Sequence, residues 1–253
     1  MIISIIGTGN VATHLFKALS HSSTSYLSNA SINIINSRTL DGLPDHSDLI
    51  LISVKDDAIE SVAQRVVGKA KFIAHTSGSV SIDILKDCAK HYGVFYPLQT
   101  FSKNSELDYQ EIPFFIEGND AETVDSLKTI AHSISPKVFE ADSTKRKRLH
   151  IAAVFACNFS NHLVAIADDL LQEVPHVPND FNSEEKLDYK VLLPLLKETV
   201  RKLDTLTPKE AQTGPAIRND KKVMSAHEDM LTDQPDLLTL YRLLSSSILS
   251  SHK

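Results

Sequence analysis

Hydrophobic positions divide the chain into two stretches of different period. From Met1 to about residue 143, short apolar runs rich in β-branched side chains recur at Met1–Ile6, Ile32–Asn36, Asp48–Val54, Lys71–Ala74, Gly93–Tyr96, Pro113–Gly118 and Lys137–Glu140. Amphipathic stretches lie between several of them: Leu15, Phe16 and Leu19 mark the first, and the others run from Ala58 to about Val67, from Ile82 to Lys90 and from Asp120 to about Ser133. Strands alternating with helices of about ten residues predict an α/β class, with a mostly parallel sheet covered on both faces and right-handed crossovers. Asp48–Val54 is apolar at nearly every position, as a strand buried on both faces requires. Ser20–Ser31, rich in Ser, Thr and Asn, is a polar connection.

From about Ser143 no β-patterned run appears. Four helical segments are predicted instead: Thr144–Glu173, Asp188–Leu203, Pro208 to about Thr213, and Arg218–Ser250 with a break at Pro235. A loop from Val174 to Glu184, with Pro175 and Pro178, separates the first two. The expected organisation is therefore an α/β domain over residues 1–143 and an all-α domain over 144–253. In the long first helix, Ile151, Val154, Phe155, Phe159, Leu163 and Ile166 form one apolar face, which Asn158, Asn161 and His162 interrupt. Buried, these polar groups need partners: each other across a helix interface, or a ligand.

Composition narrows the function classes. Hydrophobic residues at 42% and charged residues at 23% of 253 positions are those of a soluble globular protein. A formal charge of −6 argues against a nucleic-acid partner. The one basic run, Lys145-Arg146-Lys147-Arg148, reads as a solvated first helical turn. Cys88 and Cys157 match no metal or redox spacing and are expected as buried free thiols, with no metal site. The apolar opening stops at Gly7 without a basic leader, so a cytoplasmic protein with no membrane partner is expected.

The chemistry starts where the first run ends. Gly7-Thr8-Gly9-Asn10-Val11-Ala12 lies between a strand and an amphipathic helix. Gly7 permits the tight turn, Gly9 removes a Cβ that would hold a pyrophosphate off the backbone, and Ala12 lets the helix pack on its strand. The helix amides and dipole then face an anion, and a dinucleotide pyrophosphate is the natural guest. The second strand ends in Asn36-Ser37-Arg38-Thr39, with no carboxylate to repel a phosphate. Ser37 and Thr39 can donate hydrogen bonds and Arg38 can pair with a dianion or stack on the adenine, so NADP is preferred over NAD. Lys55 follows the third strand, at the end where open α/β sheets bind ligands, and Asp57 is a candidate helix cap. The fourth strand ends in His75-Thr76-Ser77-Gly78-Ser79. Ser79 or Ser81 as a cap explains part of this crowding, and a contact to substrate or nicotinamide explains the rest.

These features resemble the NADP-dependent oxidoreductases that join a Rossmann domain to a helical domain of the 6-phosphogluconate dehydrogenase C-terminal type. This is the superfamily of pyrroline-5-carboxylate reductase and the β-hydroxyacid dehydrogenases. A bacterial group of Rossmann-like proteins with a helical C-terminal domain of unknown function is more similar still. The match is carried by Gly7–Ala12, Ser53-Val54-Lys55-Asp56-Asp57, His75–Ser79, Tyr96-Pro97-Leu98-Gln99-Thr100-Phe101, Asn158-Phe159-Ser160-Asn161-His162 and Gly214-Pro215-Ala216-Ile217-Arg218-Asn219-Asp220. The resemblance implies that Gly7, Thr8, Gly9, Asn10 and Val11 hold the pyrophosphate and that Ser37 and Arg38, beside Asn36, hold the 2′-phosphate. Ser53, Val54 and Lys55 belong with the cofactor, Val54-Lys55 along the nicotinamide ribose. It also implies that the helix bearing Asn158 and His162 closes an interdomain cleft, and that a homodimer forms through the helical domain. The superfamily's proton-donating lysine, one turn before an asparagine, is missing: Val154 and Cys157 stand there.

The leading expectation is an NADP(H)-dependent oxidoreductase acting on a small, anionic carbonyl or imine compound. Thr76, Ser77, Gly78, Ser79, Gln99 and Arg218 are its candidate substrate contacts. His75, His162 and Asn158 are the candidate catalytic residues, with either histidine handling the proton. The alternatives are a non-catalytic NADP(H)-binding sensor and a partner-binding protein with a relic Rossmann domain.

Overall fold

The computed structural model describes residues 1–22, 24–173 and 187–252. The chain divides into two compact units, Met1–His162 and Leu163–Lys253. The first unit is built on seven strands: β1 (Ile2–Ile6), β2 (Ser31–Ile35), β3 (Ser47–Ile52), β4 (Ala70–His75), β5 (His91–Pro97), β6 (Phe114–Gly118) and β7 (Val138–Glu140). They form one sheet in the order β2-β1-β3-β4-β5-β6-β7, in which only the β5–β6 pair is antiparallel. Helices α1 (Asn10–Ser20), α2 (Ile59–Arg65) and α3 (Ala121–His132) cover it. The result is the Rossmann-like α/β fold expected from the strand and helix pattern.

Alternation along the central strands feeds two cores. Ile3, Ile5, Leu49, Leu51 and Phe95 pack with Ala12, Leu15 and Leu19 of α1 and Leu127 and Ile130 of α3. Ile6, Ile50, Ile52 and Ile73 face the other way, onto Ile59, Val62 and Ala63 of α2 and onto Leu85 and Cys88. This is why the β3 run shows almost no polar position. Each fully buried Leu or Ile contributes about 1.5–3 kcal/mol of transfer free energy, so the double cover fixes the strand tips firmly.

Residues 82–90 do not form the expected helix. A 3-10 turn at Ile82–Leu85, capped by Ser81, takes its place. Asp57 caps nothing, since neither α2 nor the short turn before it has a side-chain cap.

A continuous helix runs from Ser143 to Gln172 as α4 (Ser143–Ala153), a π-helical segment (Val154–Phe159) and α5 (Ser160–Gln172), and it crosses the division between the units. The change from strands to helices at 143/144 and the division at 162/163 therefore do not coincide. By length and composition the helix is apolar enough to cross a membrane. Its apolar face is exposed, with Phe155 at 65% and Ile151 at 57%. Asn158, Asn161, His162 and Cys157 are exposed too, against the expectation of burial. Lys145–Arg148 departs in the opposite sense: Arg146 is fully buried while its three neighbours are exposed.

The second unit contains α5 beyond His162, α6 (Leu193–Lys202), α7 (Lys221–Met230) and α8 (Pro235–Ser251). The break near Pro235 is present, whereas Pro208–Thr213 is a turn in which Glu210 accepts from Thr207 instead of a helix. The predicted Val174–Glu184 loop lies outside the described residues. Polar contacts tie the unit together, including His227 to Tyr241 at 2.9 Å and Arg242 to Glu228 at 2.8 Å. Among its described residues, Ala216 and Leu231 are the only buried apolar ones.

Candidate functional site

The sheet order reverses about β1, whose neighbours β2 and β3 leave in opposite directions. Ligands of open α/β sheets bind at such a switch point, outside the carboxyl ends of the strands. A cleft of 1040 Å³ lies there, lined from the tips of β1, β2, β3, β4 and β5.

Its centre is the glycine turn. Gly7, at φ +139°, lies so close to β3 that a Cβ would stand 2.0 Å from the Ser53 carbonyl oxygen. Ser53 in turn donates its N–H to Ile6 at 2.8 Å. Gly9 has ordinary backbone angles and only open space where a Cβ would be. It precedes α1, whose first turn has no side-chain cap and no acidic residue. The amides of Asn10 and Val11 therefore reach the cleft with the positive end of the dipole behind them. Asn10 also donates its side-chain amide to the Phe101 carbonyl at 2.8 Å, tying the segment after β5 to this turn.

At one end lies the Asn36–Thr39 turn. Asn36 Oδ1 accepts the Arg38 N–H at 2.9 Å. The Arg65 guanidinium, from the last turn of α2, donates to the carbonyls of Ser37 at 2.7 Å and Arg38 at 2.9 Å. Among the lining residues Asp56 is the only carboxylate, against Arg38, Arg65 and Lys55. An extended, multiply anionic ligand fits this charge distribution, and the bare backbone at Gly9 fits a pyrophosphate.

The opposite end is formed by residues 76–80 and β5. Ser77 Oγ accepts the N–H groups of Ser79 and Val80, both at 3.1 Å, and Ser79 donates to Asp56. Both serine hydroxyls are thus engaged, Ser77 within the loop and Ser79 with Asp56 beyond β3. Thr76 Oγ1 reaches Ser53 Oγ at 3.3 Å, and Gln99 Oε1 accepts the Thr100 N–H at 2.7 Å. The Arg146 guanidinium anchors the loop from below, donating to the carbonyls of Ser77 and Val80 and pairing with Glu117.

All eleven expected cofactor residues line the cleft, as do Thr76, Ser77, Gly78 and Gln99. Ser79 stands just behind the lining. Arg218 is an exposed residue of the helical unit, beside Gly214 at φ +110° and Asn219 at φ +53°. His162 and Asn158 are exposed on the long helix and do not line this cleft.

His75 requires a correction. Its ring is fully buried, with Nδ1 accepting the Ser77 N–H at 3.2 Å and Nε2 at 3.4 Å from the Ser81 carbonyl. Burial, reinforced by the Arg146 charge, holds its pKa down to about 4. A neutral ring with both nitrogens occupied positions the loop and does not exchange a proton with the cleft. The lining residues outside the expected set include Tyr96, His150 and Arg65. The signals were present: Tyr96 ends a strand, and His150 is four residues from Arg146 on one helix face.

Comparison with solved structures gives three informative likenesses. “Putative NADP oxidoreductase BF3122” from Bacteroides fragilis is 40% identical, with 98% of each chain covered and a TM-score of 0.81. Protein TM1727 from Thermotoga maritima is 21% identical over 99% of this chain and 98% of that one, with a TM-score of 0.70. An imine reductase from Myxococcus stipitatus, in complex with NADP+, shares the fold at 14% identity and a TM-score of 0.53, covering 99% and 92%. A search of curated proteins returned no match. The family described as “Domain of unknown function (DUF2520)” matches residues 112–248, more than half of the sequence, and the chain belongs to that family.

Proposed function

We propose that this chain is an NADP(H)-dependent oxidoreductase whose substrate is a small, anionic carbonyl or imine compound. The cleft carries this reading: uncapped helix amides over a bare glycine, a carboxylate-free arginine turn at one end and a polar chamber at the other. The name of the 40%-identical B. fragilis protein supports the cofactor.

The α1 amides and Gly9 would hold the pyrophosphate, and Ser37 and Arg38 the 2′-phosphate. When bound, the nicotinamide supplies or accepts the hydride. The chain supplies position and electrostatics. Thr76, Gly78 and Gln99 line the reacting end, Lys55 offers a cation to the substrate's anionic group, and the braced 76–80 loop keeps that end rigid.

Fluorescence titration with NADPH and NADH tests the reading, repeated with Arg38→Ala. Loss of the arginine–phosphate pair is expected to weaken NADPH by about 1–3 kcal/mol, roughly tenfold to a hundredfold, and leave NADH unchanged. Failure of the wild-type protein to bind either nucleotide at millimolar concentration would overturn it. A non-catalytic NADP(H) sensor is the second reading, favoured by the buried, neutral His75 and the exposed His162. Oxidation of NADPH by small keto acids or cyclic imines separates the two.

The exposed face Ile151–Phe155–Phe159 leads us to propose a second copy of this chain as its cover. Among its described residues the helical unit buries only Ala216 and Leu231, and a partner would complete such a core. Asn158, Asn161 and His162 at the middle of the helix favour protein over lipid as that cover. Two unpaired cysteines are consistent with a reducing, cytoplasmic setting.

A further inference from the structure

We infer that the Tyr96 hydroxyl, hydrogen-bonded to His150, is the proton donor at the reacting end of the cleft. The inference rests on the oxidoreductase reading and adds the group that His75 and His162 do not provide.

Tyr96 stands near the carboxyl end of β5, and both it and His150 line the cleft. Its ring occupies the space above Gly78, where a Cβ would lie 2.6 Å from Cζ and 2.8 Å from Oη. The glycine in the 76–80 loop therefore makes room for this phenol. Tyr96 Oη is 3.3 Å from His150 Nδ1, with the two rings edge to face. His150 lies one turn beyond the fully buried Arg146, so the ion pair that braces the loop also fixes the imidazole. The imidazole is half-buried, leaving Nε2 a route to solvent.

This geometry supports a balanced step. When the substrate carbon accepts the hydride, its π bond to oxygen or nitrogen breaks and that atom takes the Tyr96 proton. The tyrosinate recovers a proton from His150 Nδ1 as Nε2 takes one from solvent water, and exchange of the ring protons with solvent then restores the Nδ1–H form facing Tyr96. In the oxidative direction each proton moves the opposite way. The charged and titratable groups around the phenol are Arg146 with its partner Glu117, Asp56 held to Ser79, and His150. Burial pushes the phenol pKa up, Arg146 opposes this and Asp56 adds to it, so the group stays in the acid form a donor needs.

The test reads the phenol rather than turnover. Protein containing difluorotyrosine, whose phenols titrate nearer neutral pH, is titrated by near-ultraviolet absorbance with saturating NADP+ or NADPH. Tyr96→Phe identifies the Tyr96 contribution. The nicotinamide ring carries a positive charge in NADP+ and none in NADPH, so a phenol beside it titrates about one pH unit or more lower with NADP+. His150→Asn and His150→Gln are expected to move the Tyr96 titration with either nucleotide. NADPH affinity in all three variants should stay within about threefold of wild type, since none removes a phosphate contact. Identical titrations with NADP+ and NADPH, or a phenol indifferent to both His150 variants, would overturn the proposal while leaving the cofactor reading in place. A wild-type protein that binds neither nucleotide overturns both.

Discussion

Two glycines two residues apart are expected to respond to the same substitution in opposite ways. A Cβ on Gly7 would stand 2.0 Å from the Ser53 carbonyl oxygen and 2.8 Å from its carbon, where ordinary contact begins at 3.4 Å. Both atoms belong to the backbone just past β3, which is fixed between two cores and cannot yield cheaply. In Gly7→Ala, β1 and β3 must separate by more than an ångström, which loses the Ser53 N–H bond to Ile6. That loss costs about 1–3 kcal/mol with the group left unsatisfied, and the positive φ adds about 1–2 kcal/mol. A total of about 2–5 kcal/mol corresponds to a Tm lower by roughly 4–20 °C for a chain of this size.

Gly9→Ala meets neither obstacle. Its φ of −78° suits any residue, and nothing lies within 4 Å of the added methyl. Tm should hold, or rise with the gain of about 0.4–1 kcal/mol that a compatible Gly→Ala change gives. The methyl instead occupies the approach of a pyrophosphate to the α1 amides. Weakening one or two charge-assisted hydrogen bonds costs about 1.5–3 kcal/mol each, so NADPH affinity should fall tenfold to more than a hundredfold. Thermal unfolding and nucleotide fluorescence on both variants complete the test. Wild-type affinity in Gly9→Ala, or wild-type melting in Gly7→Ala, would refute the account of the turn.

His75 titrates near 4 when folded and near 6.5 when unfolded, so the unfolded state binds more protons between those values. Stability should therefore fall by about 3 kcal/mol from pH 7 to pH 4, and urea unfolding of His75→Asn should show a flatter pH dependence. Arg146→Met leaves Glu117 charged without its partner and frees the Ser77 and Val80 carbonyls. It should cost about 3–5 kcal/mol in denaturant unfolding, and adding Glu117→Gln should recover part of it. Phe155→Glu, at an exposed site, should leave the folding of the first unit intact and shift the protein to smaller species in size-exclusion chromatography with light scattering. Unchanged mass would remove the second copy as the cover of that face.

Local rules made the Rossmann half legible. Strands two-sided in burial announce themselves as unbroken Ile, Leu and Val, and a glycine turn between strand and helix needs no tertiary information to be read. The cofactor end of the cleft follows from residues 1–12 and the tip of β2. The reacting end does not, because its geometry depends on which face of α4 meets the sheet. Lys145–Arg148 is uniform in charge, and only packing decides that Arg146 turns inward to Glu117 while its neighbours stay in water. Once Arg146 is inside, the helix period carries His150 to the same face and on to Tyr96, so one buried guanidinium determines both the loop and the proton route. The long helix departs in the reverse sense. Its apolar periodicity predicts a buried face, but periodicity alone does not say what covers it. Ile151 and Phe155, exposed beside Asn158 and His162, are the face that the proposed second copy would cover.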